Sequence, residues 1–497
     1  MPGRGKVRLT VETPAEGVPA SARLVEVCLR FGVPMSAPGR QIISELELTF
    51  EPGTITLITG PSGSGKSLLL AEITKHFPTS RLVNNVQFPL DVAILDAVAP
   101  TRPLDEALRL LTASGLGEPM LWIRRFGQLS EGERFRARLA RAVWLHQRNG
   151  GMGPLLCDEF GEILHRRLAK ALALNLRKMV SREGLGLVVA TSQEDVEKDL
   201  CPEKIVRLGG GETTIERRSE KGLQKSAVST STFNSKSPPS HSISFLRRLR
   251  IERGTVRDYA DFASMHYRRR NQVSFVDKVY VLREGIGGEP LGVVVYGYPA
   301  LELALRNRVT CGRFVGRAKQ LNRELRVLKR LVIHPDVRGC GLGHWLVRRT
   351  LDLVGVKFVE CLAAMGLVNP VLEKAGMKRI GTCEPPANLA DSVSVLRMKG
   401  VDILSADFVS QVCRRPSVRR VVADVVQQWY RRTAMNSQTR VARQSPTTLA
   451  QTFRQLTGSQ PVYYIWAQEK KGWLLIDRGL EEMAQQAGAK TTVNNPD

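Results

Sequence analysis

Two glycine-rich segments in different halves of the chain combine residue types suited to holding phosphate groups. The first begins at Gly60, after the apolar run 54–59, and a helical pattern continues from Leu68. Its residues are Gly60, Pro61, Ser62, Gly63, Ser64, Gly65, Lys66 and Ser67. Glycines at such a strand-to-helix turn let backbone N–H groups converge on a phosphate, while the lysine reaches the β- and γ-phosphates and the final hydroxyl binds Mg²⁺. The spacing predicts a nucleotide site with ATP and Mg²⁺ as its ligands.

A pair of adjacent carboxylates follows a second apolar run, 154–157. We predict Asp158 as a ligand in the Mg²⁺ shell, beside Ser67. We predict Glu159 as the general base that polarises the attacking water. The phosphate loop and the carboxylates together therefore indicate ATP hydrolysis.

The second glycine-rich segment has the spacing that suits the pyrophosphate of coenzyme A. It follows the strand-like run Leu325–Ile333, and a helix is expected over 344–354. The residues expected to contact the cofactor are Arg338, Gly339, Gly341 and Gly343. Close approach of backbone amides and the dipole of the helix N-terminus both favour an anion. The segment is therefore of the type that holds such a pyrophosphate.

A chain of 497 residues is too long for one core and should divide into roughly three domains, two of which are α/β domains that position these sites. We expect a disordered N-terminus at 1–21, an ATPase domain at 22–215, a Ser/Lys/Thr-rich linker at 216–244, a mixed α/β acyltransferase domain at 245–400, and a small basic α+β region at 401–497. The role of the last region is open between nucleic-acid contact and a dimerisation cap.

The segment around Leu129–Glu133, before an arginine-rich helix, resembles the signature segment of ABC-type ATPases. With the loop and the carboxylates, the resemblance rests on three ordered motifs over roughly 22–211. It implies that Ser130 and Gly132 of one subunit complete the nucleotide site of another. Because the chain has one loop and one signature, the resemblance implies a head-to-tail homodimer with two ATP molecules between the subunits.

The chain departs from the ABC pattern in two places. Ser192 or Gln193 stands where the family has a switch histidine, and Leu164-His165 stands where a Leu-Asp pair is usual. We therefore expect slow turnover. Two upstream residues have expected roles: Phe31 either stacks on adenine or lies in the core, and Gln87 is a candidate sensor of the γ-phosphate.

The second glycine segment and the motif at Asn369–Met377 resemble the GNAT N-acetyltransferases. The resemblance implies an acyl-CoA cofactor, with acetyl-CoA as the first candidate, and acyl transfer from it to an amine, with Asn369 in the cofactor site. Many GNAT enzymes place a tyrosine, which protonates the departing thiolate, where this chain has Leu372. His266 and Tyr267 are the alternative catalytic pair, in an arrangement similar to the phage Mom-like branch that modifies adenine in DNA; a structural pair is the other interpretation. Glu324 and Glu360 are weaker candidates, close to strands beside the cofactor.

The composition indicates a polyanionic partner. The net charge is +25 and the pI about 10.1, and lysine and arginine release counterions when they neutralise phosphates. Nucleic acid, DNA or RNA, is the favoured partner; a merely basic surface or an acidic membrane is the alternative. The longest apolar stretch, Leu291–Leu305, is interrupted by Glu302 and falls short of the ~20 residues of a membrane span.

The cysteines occur singly, without a C-x-x-C pair, which argues against a zinc ribbon or a disulfide framework and suits a reducing compartment. They are Cys28, Cys157, Cys201, Cys311, Cys340, Cys361, Cys383 and Cys413. The basic N-terminus has no apolar core behind it, so no secretory signal is expected. The expectation is a cytoplasmic protein without a membrane partner.

These predictions leave three functions open. The first is an acyl-CoA-dependent enzyme that modifies a nucleobase amine while an ATP-driven dimer holds the nucleic acid. The second is an ATP-switched nucleic-acid clamp whose GNAT domain binds acyl-CoA without transferring it. The third is a protein N-acetyltransferase, which only the fold supports.

Overall fold

The computed structural model describes residues 5–12, 19–35, 41–151, 153–209, 212–217, 248–266, 273–433, 441–458 and 460–493. The chain divides into two compact units. Unit 1 comprises Met1–Arg250, Arg283–Leu291 and Ile333–Leu342, and unit 2 comprises Ile251–Leu282, Gly292–Val332 and Gly343–Asp497. Most of the expected linker, from 218 onward, lies outside the described residues.

Unit 1 is built from strands and helices in alternation, as an α/β pattern predicts. The strands are β1 Gly5–Glu12, β2 Gln41–Phe50, β3 Ile55–Thr59, β4 Arg81–Leu82, β5 Leu155–Cys157, β6 Leu187–Thr191, β7 Lys204–Gly209 and β8 Glu212–Arg217. The helices are α1 Ala22–Phe31, α2 Lys66–His76, α3 Ile94–Val98, α4 Leu104–Ala113, α5 Pro119–Trp122, α6 Glu131–Arg148, α7 Arg166–Glu183 and α8 Glu197–Leu200.

Within the described part of unit 1, six strands form one sheet in the order β4-β5-β6-β3-β7-β8. The first five strands are parallel, and β8 pairs with β7 in the antiparallel sense. Every residue of β3, β5 and β6 is buried. Continuous burial of short apolar runs is typical of parallel strands with both faces covered.

The N-terminal residues differ from the sequence prediction, because Gly5–Glu12 is a strand and not a disordered segment. It pairs with β2 in the antiparallel sense, with Val7 opposite Leu48 and Leu9 opposite Leu46. The apolar positions 7, 9 and 11 alternate with polar ones and enter the same core as β3 and α2. The alternation of apolar and polar residues is visible in the sequence, but it does not show that a strand about thirty residues downstream pairs with this segment.

Unit 2 contains the second set of elements. The strands are β9 Leu249–Gly254, β10 Val276–Glu284, β11 Pro290–Gly297, β12 Leu325–Ile333, β13 Phe358–Ala363, β14 Lys378–Thr382 and β15 Val462–Ala467. The helices are α9 Val256–Ala263, α10 Ala304–Val309, α11 Ala318–Glu324, α12 Leu342–Leu351, α13 Val371–Lys374, α14 Leu389–Met398, α15 Phe408–Arg414, α16 Pro416–Thr433, α17 Pro446–Gly458 and α18 Lys470–Val493.

Over the described residues these seven strands form one sheet in the order β14-β15-β13-β12-β11-β10-β9. β12 and β13 are parallel, and their pairing covers the three positions from Leu325↔Phe358 to Val327↔Glu360. β15 lies between β13 and β14 and is antiparallel to both. The expected domain boundary at 400 is therefore not a boundary of this sheet, because a strand from the C-terminal region pairs with its strands.

Helices α14 to α17 form a bundle between β14 and β15 in the chain order. Its core is its own, with Val418, Val422, Val425 and Phe453 all fully buried. Along the part of the chain that the structure describes, every helix is too short or too polar to cross a membrane.

Candidate functional site

The candidate nucleotide residues meet at one edge of the unit 1 sheet. In the parallel register Thr59, the last residue of β3, is level with Thr191, the last residue of β6. Cys157, the last residue of β5, is level with Val189. The chain leaves all three strands at their carboxyl ends, so the loop from Gly60, the Asp158-Glu159 pair and the Ser192-Gln193 pair share that edge.

The backbone of the first glycine loop has the conformation that only glycine adopts readily. The φ angles are 78° at Gly63 and 93° at Gly65, the residue before α2. A Cβ at Gly60 would lie 2.1 Å from the Leu208 carbonyl oxygen, and one at Gly65 would lie 2.8 Å from Ile42 Cγ2. The loop therefore leaves no room for a side chain at these positions, as close wrapping of a phosphate requires.

The polar side chains of the loop fit an anionic ligand. Lys66 Nζ donates to the carbonyl oxygens of Gly60 and Pro61, at 2.8 Å each, so the ammonium lies over the loop. Ser64 Oγ is buried, and among the described residues it has no hydrogen-bond partner. A buried hydroxyl without a partner is costly unless a ligand supplies one. ATP held by the loop, with Mg²⁺ at Ser67 and Asp158, would fit these groups.

Asn84, which the sequence did not indicate, fixes the backbone of Asp158. Its Nδ2 donates to the Asp158 carbonyl oxygen at 3.3 Å, and its Oδ1 accepts from the Asp158 amide at 3.2 Å. The next residue, Glu159, has φ = 51°, in the left-handed region, and its amide donates to Asp158 Oδ1 at 3.0 Å. Backbone strain of this kind at a non-glycine residue is typical of functional sites.

The two residues at the expected switch position are tied to the segment that follows Glu159. Ser192 Oγ donates to Glu162 Oε1 at 2.9 Å. The Gln193 side chain accepts from Arg166, which also pairs with Asp195. In this chain, then, hydrogen bonds through Ser192 and Gln193 link the end of β6 to the turn that follows Glu159 and to the start of α7.

The signature residues lie at the start of α6. Ser130 is the N-cap: its Oγ accepts from the Glu133 amide at 3.4 Å, and its own amide donates to Glu133 Oε2 at 2.8 Å. A Cβ at Gly132 would lie 3.1 Å from Leu164 Cδ2. The capping box stabilises this helix terminus, whose amides and dipole favour an anion.

Two upstream candidates are both exposed. Phe31 ends α1 and is 75% exposed, which rules out the core-aromatic interpretation and leaves adenine stacking as a prediction. Gln87 is exposed, and its Nε2 donates to the Asn85 carbonyl oxygen at 3.3 Å.

The second glycine loop lies, within unit 1, against α4 and α7. Asn175 Nδ2 donates to the Arg338 carbonyl oxygen at 3.2 Å, and Lys178 Nζ donates to the Cys340 carbonyl oxygen at 3.0 Å. A Cβ at Gly339 would lie 2.5 Å from Asn175 Nδ2. The Arg338 side chain is 3.0 Å from Glu118. Burial lowers the pKa of Arg338, and Glu118 partly opposes this effect.

These contacts occupy one side of the loop. The carbonyl groups of Arg338 and Cys340 accept from α7, and the Arg338 side chain is already paired. In this structure the Arg338 side chain, which was expected to bind the pyrophosphate, is therefore paired with Glu118. Gly341 keeps a φ of 91°, a conformation that favours glycine.

In unit 2 the second motif of the GNAT resemblance, at Asn369–Met377, begins with a turn that leads into α13. Asn369 is exposed, and its Oδ1 accepts from the Val371 amide at 3.2 Å. Leu372, at the tyrosine position of the family, is 3% exposed and belongs to the core. A tyrosine does reach α13 from elsewhere: Tyr464 on β15 donates to the Gly366 carbonyl oxygen and to Glu373 Oε1, at 3.1 and 3.2 Å.

The alternative catalytic residues are only partly described. His266 is half-buried after α9, with its amide 3.3 Å from the Ala263 carbonyl oxygen, while Tyr267 lies outside the described residues. Glu324 is buried; burial favours its neutral form, but hydrogen bonds from Arg313, Gln320 and Lys357 outweigh this and lower its pKa. Glu360 is buried and ion-paired, so both glutamates have structural partners.

Sequence reasoning missed Asn84, Asn175 and Tyr464. Each acts through a contact with a residue at least 70 positions away in the chain. None stands in a functional motif, and no local pattern marks the two asparagines. The aromatic run at 462–466 was the one available signal, since such residues favour a buried strand.

The loop, the carboxylates and the signature helix define an ABC-type ATPase domain over roughly a third of the chain. The chain is 28% identical over 198 residues to the methionine import ATP-binding protein MetN of Helicobacter hepaticus, covering 32% of this chain and 54% of that protein. It is 26% identical over 204 residues to the Fe(3+) ions import ATP-binding protein FbpC of Agrobacterium fabrum, covering 34% and 55%.

Among solved structures, the chain is similar to the bacterial ABC transporter cassette MJ0796, in its dimeric structure, with a TM-score of 0.30 and 22% identity. This match covers 37% of this chain and 93% of that one. No protein-family model matches the chain. The chain spans about half the length of the curated relatives it matches.

Proposed function

We propose that this chain is an acyl-CoA-dependent acyltransferase of the GNAT type joined to an ABC-type ATPase, and that it modifies a nucleobase amine. ATP binding closes a head-to-tail homodimer, and hydrolysis by Glu159 reopens it. The acyl group passes from the cofactor thioester to the amine, and coenzyme A leaves as the thiol. The nucleic acid is held while the target base is presented.

The observation that carries the acyltransferase proposal is the parting of two parallel strands. In the described chain the pairing of β12 with β13 ends at Val327↔Glu360, although β12 runs on to Ile333 and β13 to Ala363. Parting strands present N–H and C=O groups to each other across a gap. An extended, amide-containing chain such as the pantetheine arm of acyl-CoA matches those groups, as an added strand does.

The position of the glycine loop also supports the proposal. The loop begins directly after β12 and leads into α12, so the end of the parting strand and the anion-favouring helix terminus follow one another in the chain. This order suits a ligand with a pyrophosphate at one end and an extended arm at the other. The antiparallel β15 beside β13 completes a mixed sheet of the kind that the resemblance to GNAT enzymes implies.

The nucleobase substrate is proposed from charge and chemistry. The +25 net charge favours a polyanionic partner such as nucleic acid, with its phosphate backbone. An aromatic exocyclic amine is neutral at physiological pH, so, unlike a lysine ammonium, it need not lose a proton before it attacks the thioester. In DNA the base would have to leave the stack, whereas an RNA loop already exposes it.

Nucleoside mass spectrometry tests this proposal. DNA and RNA would be isolated from cells that express the wild type or Gly341→Trp, in which a large side chain at φ = 91° closes the loop. A mass-shifted nucleoside found with the wild type and lost in the variant is the expected result. Lys66→Ala, expressed in parallel, shows whether the modification also needs ATP.

An ATP-switched clamp without acyl transfer is the second candidate, favoured by the buried Leu372 at the tyrosine position. It predicts that purified protein binds acyl-CoA in calorimetry and binds nucleic acid only with ATP, while neither DNA nor RNA is modified. An acylated protein in the same cells, with unmodified nucleosides, would instead point to protein N-acetylation.

A further inference from the structure

We infer that the helical insertion, residues 387–458, is the nucleic-acid-binding module of the protein, with phosphates on an arginine cluster and one unstacked base in the adjoining groove. The inference rests on the proposed function, since it names the part of that enzyme which holds the substrate. Three independent features carry it: the way the bundle is inserted, its charge, and the groove at its base.

The bundle is not needed to complete the sheet. β14 and β15 are antiparallel neighbours, with Thr382 opposite Val462, and the Cys383 amide donates to the Pro461 carbonyl oxygen at 2.9 Å. The chain therefore leaves the sheet and returns at the same place, where a turn of two to five residues would suffice. A bundle with its own core at such a point is a separate structural module.

The module carries many more positive than negative side chains. Residues 383–461, from the end of β14 to the start of β15, contain 11 lysine and arginine residues against four aspartates and Glu384, a net charge of +6. Ten of the 11 are arginine, whose planar guanidinium suits phosphate better than an ammonium does. Like charges at this density repel each other in the free protein, and phosphates relieve that repulsion.

Five of these cations form an exposed cluster where α14, α15 and α16 meet. They are Arg397, Lys399, Arg414, Arg415 and Arg420. Arg414 and Arg415 lie at the junction of α15 and α16, and Arg420 lies one turn into α16. Arg415 Nη2 donates to the Lys399 carbonyl oxygen at 3.2 Å, which brings the end of α14, with Arg397, alongside. In the described part of the chain, no carboxylate lies within ion-pair distance of any of the five.

The groove adjoins the cluster through a shared residue. It has a volume of about 680 Å³ and a mostly apolar lining that includes Leu389, Ala390 and Val393, with Arg397 and Glu384 as its charged residues. The apolar walls suit the face of an unstacked base, the two charged groups suit its polar edge, and the volume falls in the range of small-molecule sites. Because Arg397 lines the groove, a nucleotide whose base enters it would have its phosphate at the cluster.

Fluorescence anisotropy on the full chain tests the inference, with labelled single-stranded DNA, single-stranded RNA and duplex DNA as probes. We expect the triple variant R397E/R414E/R420E to bind at least tenfold more weakly. The slope of log K against log salt, measured over about 50–200 mM, should fall by about three, one for each phosphate that no longer meets an arginine. The matched control is R317E/K319E/R323E, which reverses three exposed cations of unit 2 outside the module.

A second variant tests the groove separately. Ala390 is exposed and lines the groove, so Ala390→Trp fills it without entering the core. We expect weaker binding of the single strands and unchanged binding of the duplex. Circular dichroism and thermal melting show whether each variant folds, and the charge-neutral pair R414Q/R420Q replaces the triple variant if it does not.

Equal loss of binding in the triple variant and its control, or no loss in either, would overturn the inference. So would binding to vesicles containing phosphatidylserine without binding to any oligonucleotide. The proposed function can fail separately: if the module binds nucleic acid but Gly341→Trp changes no nucleoside, the inference stands and the acyl transfer does not. If nucleosides are modified but the triple variant binds nucleic acid normally, the acyl transfer stands and the inference about the helical module does not.

Discussion

Arg306 and Glu360 form an ion pair inside unit 2, with Nη1 and Oε1 3.1 Å apart and side chains 0% and 3% exposed. Tyr463 donates to the second carboxylate oxygen at 2.9 Å, and Arg306 Nη2 donates to the Leu301 carbonyl oxygen at 2.7 Å. Burial raises the pKa of Glu360, although Arg306 and Tyr463 act against this. The pair joins α10 to β13, and Glu360, a weaker candidate from the sequence, has structural partners on both of its carboxylate oxygens.

Breaking this pair should be more costly than removing it. Arg306→Leu leaves a buried carboxylate without its cation, and we expect the free energy of unfolding to fall by about 3–5 kcal/mol. The double variant R306L/E360L removes both charges and should recover most of that stability. Urea denaturation measures both; the exposed pair Arg478–Glu482 is the control, because R478L there should cost less than about 1 kcal/mol. Equal costs for the single and double variants would contradict the argument.

Glu159→Gln should separate ATP binding from hydrolysis. The amide keeps the size of the side chain but cannot accept the proton of the attacking water, so we expect ATP turnover to fall by about 100-fold or more. An ATP-dependent dimer should persist in light scattering. Lys66→Ala, which lacks the ammonium that reaches the phosphates, should show neither the dimer nor turnover. A Glu159→Gln protein that hydrolyses ATP at the wild-type rate would show that another group activates water.

Asn84→Ala should weaken catalysis through Asp158. The variant cannot make either hydrogen bond to the Asp158 backbone, and groups that orient a metal ligand are commonly worth about 10- to 100-fold in metal affinity or activity. We expect turnover to need more Mg²⁺, while nucleotide binding without Mg²⁺ is unchanged. Asn85→Ala, at the exposed neighbouring position, should behave as the wild type. If raised Mg²⁺ does not restore activity, Asn84 acts on something other than the metal ligand.

Tyr464→Phe should make the free energy of unfolding less dependent on pH above about 10. Burial, with the nearby Glu373 charge, raises the pKa of Tyr464 to about 12. The unfolded phenol ionises near pH 10, so the folded state loses stability as the pH rises from about 10 to 12, by about 2–3 kcal/mol at most. The variant lacks this dependence, and its unfolding free energy should vary less steeply with pH above 10. Equal slopes would show that the hydroxyl is not buried, and a fall in kcat without a fall in stability would make it the missing acid.

Gly339→Ala should disturb the second loop by steric overlap as well as by strain. The residue has φ = 82°, and a Cβ there would lie 2.5 Å from Asn175 Nδ2 and 3.0 Å from the Thr112 carbonyl oxygen. Gly376→Ala is the matched control, because φ is 98° there and nothing lies within 4 Å of the new Cβ. We expect about 1 kcal/mol for the control from strain alone and clearly more for Gly339→Ala. Thermal unfolding gives the costs, and faster hydrogen exchange over 333–342 would locate the change.

The sequence by itself determined the features that depend on neighbours in the chain. The first glycine loop, the strand before it and the helix after it lie where the spacing predicted, because the φ values and the N-terminal amides are local properties. The same holds for the Asp158-Glu159 pair directly after β5 and for the arginine-rich helix after the signature segment, which is α6. The roles of these residues in ATP chemistry remain predictions.

The tertiary structure decided which distant segments meet. β1 joins β2, β15 enters the sheet between β13 and β14, and α7 meets the loop at Gly339 through pairings that no local pattern encodes. The sequence of a strand shows its own alternation of apolar and polar residues but not which strand it pairs with, since many apolar strands would pair equally well in isolation. Only the combined burial of all the apolar faces selects one arrangement, and that selection made Glu360 an ion-pair partner and Asn84 a support for Asp158.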